Sequence, residues 1–113
     1  MAIDKKQVSG NTAMLLLQLL SEKDMYGYEM IETLQRRSDN VFELKAGTLY
    51  PLLHGMEEKN QLLSYEKEAG GKLRRYYQIT GEGRRELKRK KKEWETYEKA
   101  VSQVIGGEAF VNG

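Results

Sequence analysis

The first half of the chain has apolar residues at helical spacing in three consecutive segments. In the first segment, TAMLLLQLLSE, leucines stand at positions 15, 16, 17, 19 and 20, and Ser9 or Asn11 can cap the helix. Leucines at these positions cover more than one helical face, so we expect this helix to lie centrally between two layers.

A second helix is predicted over MYGYEMIETLQRR, with Asp24 as its cap and with Met30, Ile31 and Leu34 facing inward. Gly27 in its first turn costs about 1 kcal/mol relative to alanine. We therefore interpret Gly27 as a point where another part of the protein approaches the backbone closely.

The third segment, KAGTLYPLLHGMEEKN, predicts an amphipathic helix that Asn60 can end. Its first turns contain residues that are poor choices for a solvated helix face, namely Gly47, Thr48, Tyr50 and Pro51. This composition indicates that the beginning of the helix contacts something other than water.

After residue 60 the hydrophobic period changes from helical to alternating. LLSYEKE and LRRYYQIT flank the glycine turn AGGK, which predicts a β-hairpin. Thr80 then caps a long last helix, in which Leu87, Trp94 and Val101 are seven residues apart, as are Tyr97 and Val104. This spacing predicts an apolar seam that must be buried against a partner.

The order of elements defines the expected fold class: mainly α with a small β-hairpin, arranged as a winged helix-turn-helix plus a long C-terminal dimerisation helix. We divide the chain into a winged domain (1–83), the dimerisation helix (84–105) and a flexible tail (106–113). A chain of 113 residues is long enough for one such domain.

Composition excludes several classes of protein. The chain has no cysteine and one histidine, so neither a disulfide framework nor a thiolate metal site is expected. No phosphate-binding loop or catalytic constellation is present, which argues against an enzyme and against a cofactor. The longest apolar run is far shorter than the ~20 residues that span a bilayer, so we expect a soluble, cytoplasmic protein with no membrane partner.

The net charge of +2 is uninformative, but seven basic residues and one acid lie between Arg84 and Lys92. A block of this kind is more often a solvated helix face than a binding site.

Three stretches together resemble the PadR family of bacterial transcriptional regulators: MYGYEMIETL, GTLYPLLHGME and RRYYQITGEG, in this order and at the expected distances. The length matches the short form of the family, which has a single C-terminal helix and is similar to the multidrug-sensing repressors that dimerise through that helix. The resemblance implies a homodimer that binds a palindromic double-stranded DNA operator and acts as a repressor.

By analogy, the contact edge of the third helix comprises Lys45, Thr48, Tyr50 and Pro51, with His54 as an additional contact. The alternative is a helix start shaped only by its loop, with Tyr50 packed on a neighbour. Lys72 and Arg74 flank the tip of the hairpin, or wing, and would contact the DNA backbone. Arg75 points the other way, so we expect it to pair with Glu57 or Glu58.

The seam of the last helix has two interpretations. In one, Leu87, Trp94, Tyr97, Val101 and Val104 form a dimer interface in which Trp94 is a plug. In the other, which the multidrug-sensing relatives imply, Trp94 stacks on a planar aromatic effector. The predicted neighbours of that ligand are Asn11, Met14 and Glu98.

A rival function is a winged-helix protein-interaction module that joins a larger assembly without binding DNA. Its third helix should present an acidic or apolar edge. The edge here carries Lys45, Thr48, Tyr50 and His54 with no acid, which favours DNA.

Overall fold

A computed structural model describes the backbone of residues 5–106 and the side chains of residues 11–106. The helices are α1 (Lys5–Glu22), α2 (Gly27–Arg37), α3 (Ala46–Glu58) and α4 (Gly81–Val104), and the strands are β1 (Met25–Tyr26), β2 (Leu62–Ala69) and β3 (Lys72–Ile79). Most of the predicted tail, residues 107–113, lies outside the described residues. None of the helices in the described range is long and apolar enough to cross a membrane.

The first helix lies at the centre of the protein. It packs against α4, β3 and α2, and Leu16, Leu17 and Leu20 are at most 1% exposed. The remaining core comes from every other element, as Met25, Met30, Leu34, Leu49, Leu53, Met56, Leu62, Tyr77, Ile79 and Leu87. The predicted central position of the leucine-rich helix is therefore confirmed.

The starts of the first two helices differ from the predictions. The α1 helix begins at Lys5, so Ser9 and Asn11 lie inside it and not at its cap. Lysine and glutamine at the start of this helix cost little helix propensity, which permits the longer helix. The α2 helix begins at Gly27 after Tyr26, an extended N-cap residue whose side chain makes no capping hydrogen bond.

The predicted cap of α2, Asp24, has another role. Its Oδ2 accepts hydrogen bonds from the hydroxyl of Tyr65 at 2.5 Å and from Nε2 of Gln78 at 3.2 Å. The chain between Asp24 and α2 is extended because Met25 and Tyr26 pair with β3, opposite Tyr77 and Tyr76. The sheet therefore has three strands, in the order β1-β3-β2.

The predicted hairpin and its glycine turn are confirmed. Strands β2 and β3 pair from Leu62↔Ile79 to Ala69↔Lys72. The two intervening glycines, Gly70 and Gly71, have φ of 60° and 77°. Positive φ at both central residues is the requirement of the two-residue turn whose twist matches that of the strands.

The end of α3 and the beginning of α4 meet in one hydrogen-bonded junction. Asn60 has a φ of 61° and donates from N–H to the Glu57 carbonyl, while Gln61 donates to the Met56 carbonyl, both at 2.9 Å. These two bonds end α3 in the manner predicted for Asn60. The Thr80 hydroxyl donates to the Asn60 carbonyl at 2.6 Å and accepts from the Gly83 N–H at 3.0 Å.

Candidate nucleic-acid interface

The predicted contact residues of α3 share one exposed edge. Lys45 is the extended N-cap of the helix, and the first turn contains no acid. Exposed on this edge are Lys45, Gly47, Thr48, Tyr50, Pro51 and His54. The opposite side of the helix is buried through Leu49, Leu53 and Met56. The apolar face of α3 is therefore buried in the fold, and its exposed polar edge is open to a partner.

The Tyr50 side chain is exposed to solvent and also packs against another part of the fold. Its side chain is 40% exposed, yet the ring lies against Gly27 at the start of α2. A Cβ on Gly27 would be 2.8 Å from the Tyr50 Cζ and closer still to the hydroxyl oxygen. The predicted close approach at Gly27 is thus confirmed, and its partner is the Tyr50 ring.

Gly47 and Pro51 shape the beginning of α3 in different ways. A Cβ at Gly47 would meet no atom within 4 Å, so packing within the chain does not require glycine there. Pro51 is the sixth residue of the helix, beyond the first turn where a missing N–H costs least. It cannot donate the helical hydrogen bond to the Gly47 carbonyl, which leaves this exposed part of the helix weakened.

His54 lies one turn beyond Tyr50 on the same edge. Its side chain is 72% exposed, and Nδ1 is 3.9 Å from Oε1 of Glu57. This pair adds charge attraction only when the imidazole is protonated. The ring is otherwise open to contact from outside the protein.

The two wing cations predicted to contact DNA, Lys72 and Arg74, lie on one face of the hairpin. Lys72 follows the glycine turn and is exposed. Arg74, two residues on, lies over the ring of Tyr26, with its Cζ 4.4 Å from the ring centroid. Its Nε–H donates to the Ala69 carbonyl at 3.3 Å. Arg74 is therefore held against the sheet, whereas Lys72 extends from the tip.

The register of the hairpin adds a cation that the sequence analysis did not identify. Lys67 is directly opposite Arg74 and lies over the ring of Tyr76, with Nζ 5.2 Å from the centroid. The hairpin register would have predicted this pairing, because strands joined by a two-residue turn have a fixed alignment. Lys67, Lys72 and Arg74 thus share the outer face of the wing.

Arg75 points to the opposite, inner face, as predicted. It reaches Glu57 indirectly: Nη1 donates to Oγ of Ser64 at 3.0 Å, and that hydroxyl donates to Oε2 of Glu57 at 2.8 Å. Burial and the Glu57 carboxylate raise the pKa of the neighbouring Tyr77 hydroxyl. These residues tie the wing to α3 and belong to the fold.

The predicted seam of α4 divides into two parts. Leu87 is only 7% exposed and packs in the core of its own chain, so it does not belong to the exposed face that a dimer partner could cover. Val101 is partly buried, and the later residues are open: Trp94 is 40% exposed, Tyr97 55% and Val104 84%. The rings of Trp94 and Tyr97 have centroids 6.0 Å apart.

The predicted effector-site neighbours of Trp94 lie on two helices. Asn11 and Glu98 are exposed, on α1 and α4 respectively, and Met14 is partly buried against the core.

The basic block at the start of α4 is only partly neutralised within the helix. Arg85 pairs with Glu82, while Arg89 and Lys90 pair with Glu86. The exposed pairs are of a kind that contributes little to stability.

Comparison with known proteins identifies the family. The family model of PadR-like transcriptional regulators matches residues 16–89. The chain belongs to the PadR-like family of transcriptional regulators. The family assignment and the fold class inferred from the sequence are both confirmed. The PadR-like chain is a transcriptional regulator and not an enzyme.

The matches to individual relatives cover most of the chain. A protein of Lysinibacillus sphaericus is 33% identical over 102 residues, which make up 88% of this chain and 93% of that protein. A transcriptional regulator of Mycobacterium tuberculosis is 28% identical over 98 residues, or 87% of this chain and 86% of its own length.

Solved structures agree with the sequence relatives. A PadR family transcription regulator from Clostridium difficile is 40% identical, with a TM-score of 0.72 over 83% of this chain and 97% of that chain. A transcriptional regulator from Clostridium thermocellum is 33% identical, with a TM-score of 0.80 over 88% of this chain and 97% of that chain.

Proposed function

We propose that this PadR-like regulator is a repressor that binds a palindromic DNA operator as a homodimer, through the edge of α3 and the outer face of the wing. The observation that carries the proposal is the acid-free, exposed edge of α3 opposite its buried apolar face. The first turns of this helix bring hydroxyl groups, a cation and an unobstructed backbone to one surface. Phosphate oxygens and base edges are hydrogen-bonded by such groups.

The experiment compares two lysines at opposite ends of the same helix. Binding to labelled duplexes that tile the DNA upstream of the coding region is measured by fluorescence anisotropy at several salt concentrations. Lys45→Ala should weaken binding and lower the salt slope by about one. Lys59→Ala, a matched change at the exposed C-cap of α3, should leave both unchanged. Equal effects of the two substitutions would contradict the assigned edge.

Tyr50 requires two substitutions because its ring also contacts α2. Tyr50→Phe keeps the ring against Gly27 and removes only the hydroxyl, whereas Tyr50→Ala removes both. If the hydroxyl reads DNA, both variants lose specific binding relative to a scrambled duplex. If no duplex is bound at any salt concentration, the protein-interaction module becomes the better assignment.

The dimer is proposed to form through the exposed apolar face of α4 between residues 94 and 105. An exposed stripe of Trp94, Tyr97 and Val104 on an otherwise charged helix supports an association that removes it from water. Tyr97→Asp should shift the sedimentation coefficient to that of a monomer, while Lys99→Asp on the same helix should not. A stable wild-type monomer at micromolar concentration would contradict the dimer.

For regulation, we propose that a planar aromatic compound stacks on Trp94 and releases the operator. The exposed indole beside Tyr97 supports this assignment, since aromatic faces favour flat ligands. Trp94 is the only tryptophan, so its fluorescence reports on the site. A flat cationic dye should quench this fluorescence, and operator DNA should weaken dye binding by the factor by which the dye weakens DNA binding. Without quenching by a panel of such dyes, Trp94 is an interface plug.

A further inference from the structure

The outer face of the wing carries two like charges directly opposite each other. Lys67 and Arg74 are cross-strand partners, and in the described part of the chain neither forms an ion pair within 4.0 Å. Like charges in this arrangement destabilise a hairpin. Each is instead placed over an aromatic ring, Lys67 over Tyr76 and Arg74 over Tyr26. The fold thus keeps two cations in place by aromatic contacts that leave their charge unneutralised.

The contact of Arg74 fixes the orientation of its guanidinium group. Its Cζ lies over Tyr26, 4.4 Å from the ring centroid, and its Nε–H donates a hydrogen bond to the Ala69 carbonyl. Within the described residues, the terminal nitrogens make no hydrogen bond. An arginine held in this way retains the four N–H donors of its two terminal nitrogens, whose fork geometry suits phosphate oxygens.

Tyr26 also connects the wing to the helix-turn-helix. It pairs with Tyr76 in the sheet, packs edge-on against that ring at 5.4 Å, and is the N-cap of α2. The next residue, Gly27, contacts the Tyr50 ring on the edge of α3. Two consecutive residues therefore touch the proposed DNA contacts on both the wing and α3.

We propose that Tyr26 is a positioning residue of the DNA interface. Its ring holds the Arg74 guanidinium with the terminal donors turned to a backbone phosphate, and its backbone fixes the wing relative to the edge of α3. This inference rests on the proposed DNA binding. It adds that Tyr26 contributes to that binding without touching DNA.

The test is a set of double-mutant cycles on DNA affinity. The probe is a fixed, fluorescein-labelled duplex of about 30 base pairs, which covers two half-sites one helical turn apart. Tyr26→Leu removes the ring and should weaken binding about two- to five-fold, the range that an exposed cation–π contact allows. Tyr26→Phe retains a ring face and should remain near wild type. Thermal unfolding without DNA establishes that each variant is folded.

Two backgrounds separate positioning from a general effect on structure. In Arg74→Met, Tyr26→Leu should cause no further loss, because the group that Tyr26 positions is already gone. In Lys72→Ala, the fold-losses in DNA affinity from Lys72→Ala and Tyr26→Leu should multiply, because Lys72 is not placed over the ring of Tyr26 or Tyr76. A Tyr26→Leu effect that is absent, or that persists in Arg74→Met, overturns the inference while DNA binding stands. If the wild type binds no duplex, the proposed function fails with it.

Discussion

The phenol ring of Tyr50 lies against Gly27, with its Cζ 2.8 Å from the place that a side-chain carbon on Gly27 would occupy. This contact links the edge of α3 to the first residue of α2. It means that the direction of the Tyr50 hydroxyl is set by the absence of a side chain on another helix. Gly27 lowers the helix propensity of α2, but its missing side chain leaves the space that the Tyr50 ring occupies.

Gly27→Ala should therefore affect DNA recognition more than stability. The added methyl group collides with the movable far end of Tyr50, so the ring should turn away and the fold should remain. We expect the free energy of unfolding to change by no more than about 1 kcal/mol, because alanine also favours the helix. Specific binding should fall towards the level of Tyr50→Ala. Urea unfolding and anisotropy measure the two effects, and wild-type specificity in Gly27→Ala would contradict the prediction.

Two other glycines provide opposite expectations for stability. A Cβ on Gly83 would be 2.7 Å from Cγ1 of Ile79 and would also collide with the Gln61 carbonyl oxygen, which cannot move aside. Gly83→Ala should cost about 1–3 kcal/mol. Gly47→Ala meets open space in a helix and should add up to about 1 kcal/mol. Chemical denaturation measures the free energy of unfolding of both variants. A Gly83→Ala variant as stable as Gly47→Ala would contradict the tight junction between α3 and α4.

Stability in acid should depend on Glu22. Hydrogen bonds from Arg37 and Gln18 lower the pKa of this carboxyl from 4.5 to about 2. Since the folded protein favours the ionised form, the contribution is complete above pH 4.5 and is lost as the pH falls towards 2. Glu22→Gln should lower the melting temperature at neutral pH, and the difference from wild type should shrink in acid. If the difference in melting temperature between Glu22→Gln and wild type stayed constant with pH, the proposed contribution of the Glu22–Arg37 ion pair would be contradicted.

Tyr65 should produce the opposite dependence in alkali. Its hydrogen bond to Asp24 raises the pKa of the phenol from 10.0 to about 12. The folded protein favours the neutral phenol, so the contribution is present below pH 10 and is lost as the pH rises towards 12. Tyr65→Phe should be less stable than wild type at pH 8 and should approach it above pH 11. Absorbance of the tyrosinate provides an independent titration.

The sequence predicted those elements whose signals are local. Gly70 and Gly71 mark the hairpin because few other residues adopt positive φ twice in succession. Asn60 likewise marks the end of α3. The β1 strand has no sequence signal because two residues carry no period. Asp24 resembles a helix cap because its partners in the fold, Tyr65 and Gln78, are distant in sequence.

The candidate site was predictable in composition but not in contacts. Heptad spacing showed that Leu87 must be buried, yet spacing does not distinguish the core of one chain from the surface of another. The edge of α3 could be listed from its residue types. The positions of Arg74 over Tyr26 and of Tyr50 against Gly27 depend on how strands and helices pack, which no single segment encodes.

The junction between α3 and α4 has a mechanical consequence. The hydroxyl of Thr80 is bonded to both helix ends, and Gly83 sits so close to Gln61 that no side chain fits between them. The end of α3 and the beginning of α4 are thus held together at this junction. In the proposed dimer, a small change in the crossing angle of the paired α4 helices would therefore change the distance between the two α3 helices. The spacing between the two operator half-sites would then report on that crossing angle.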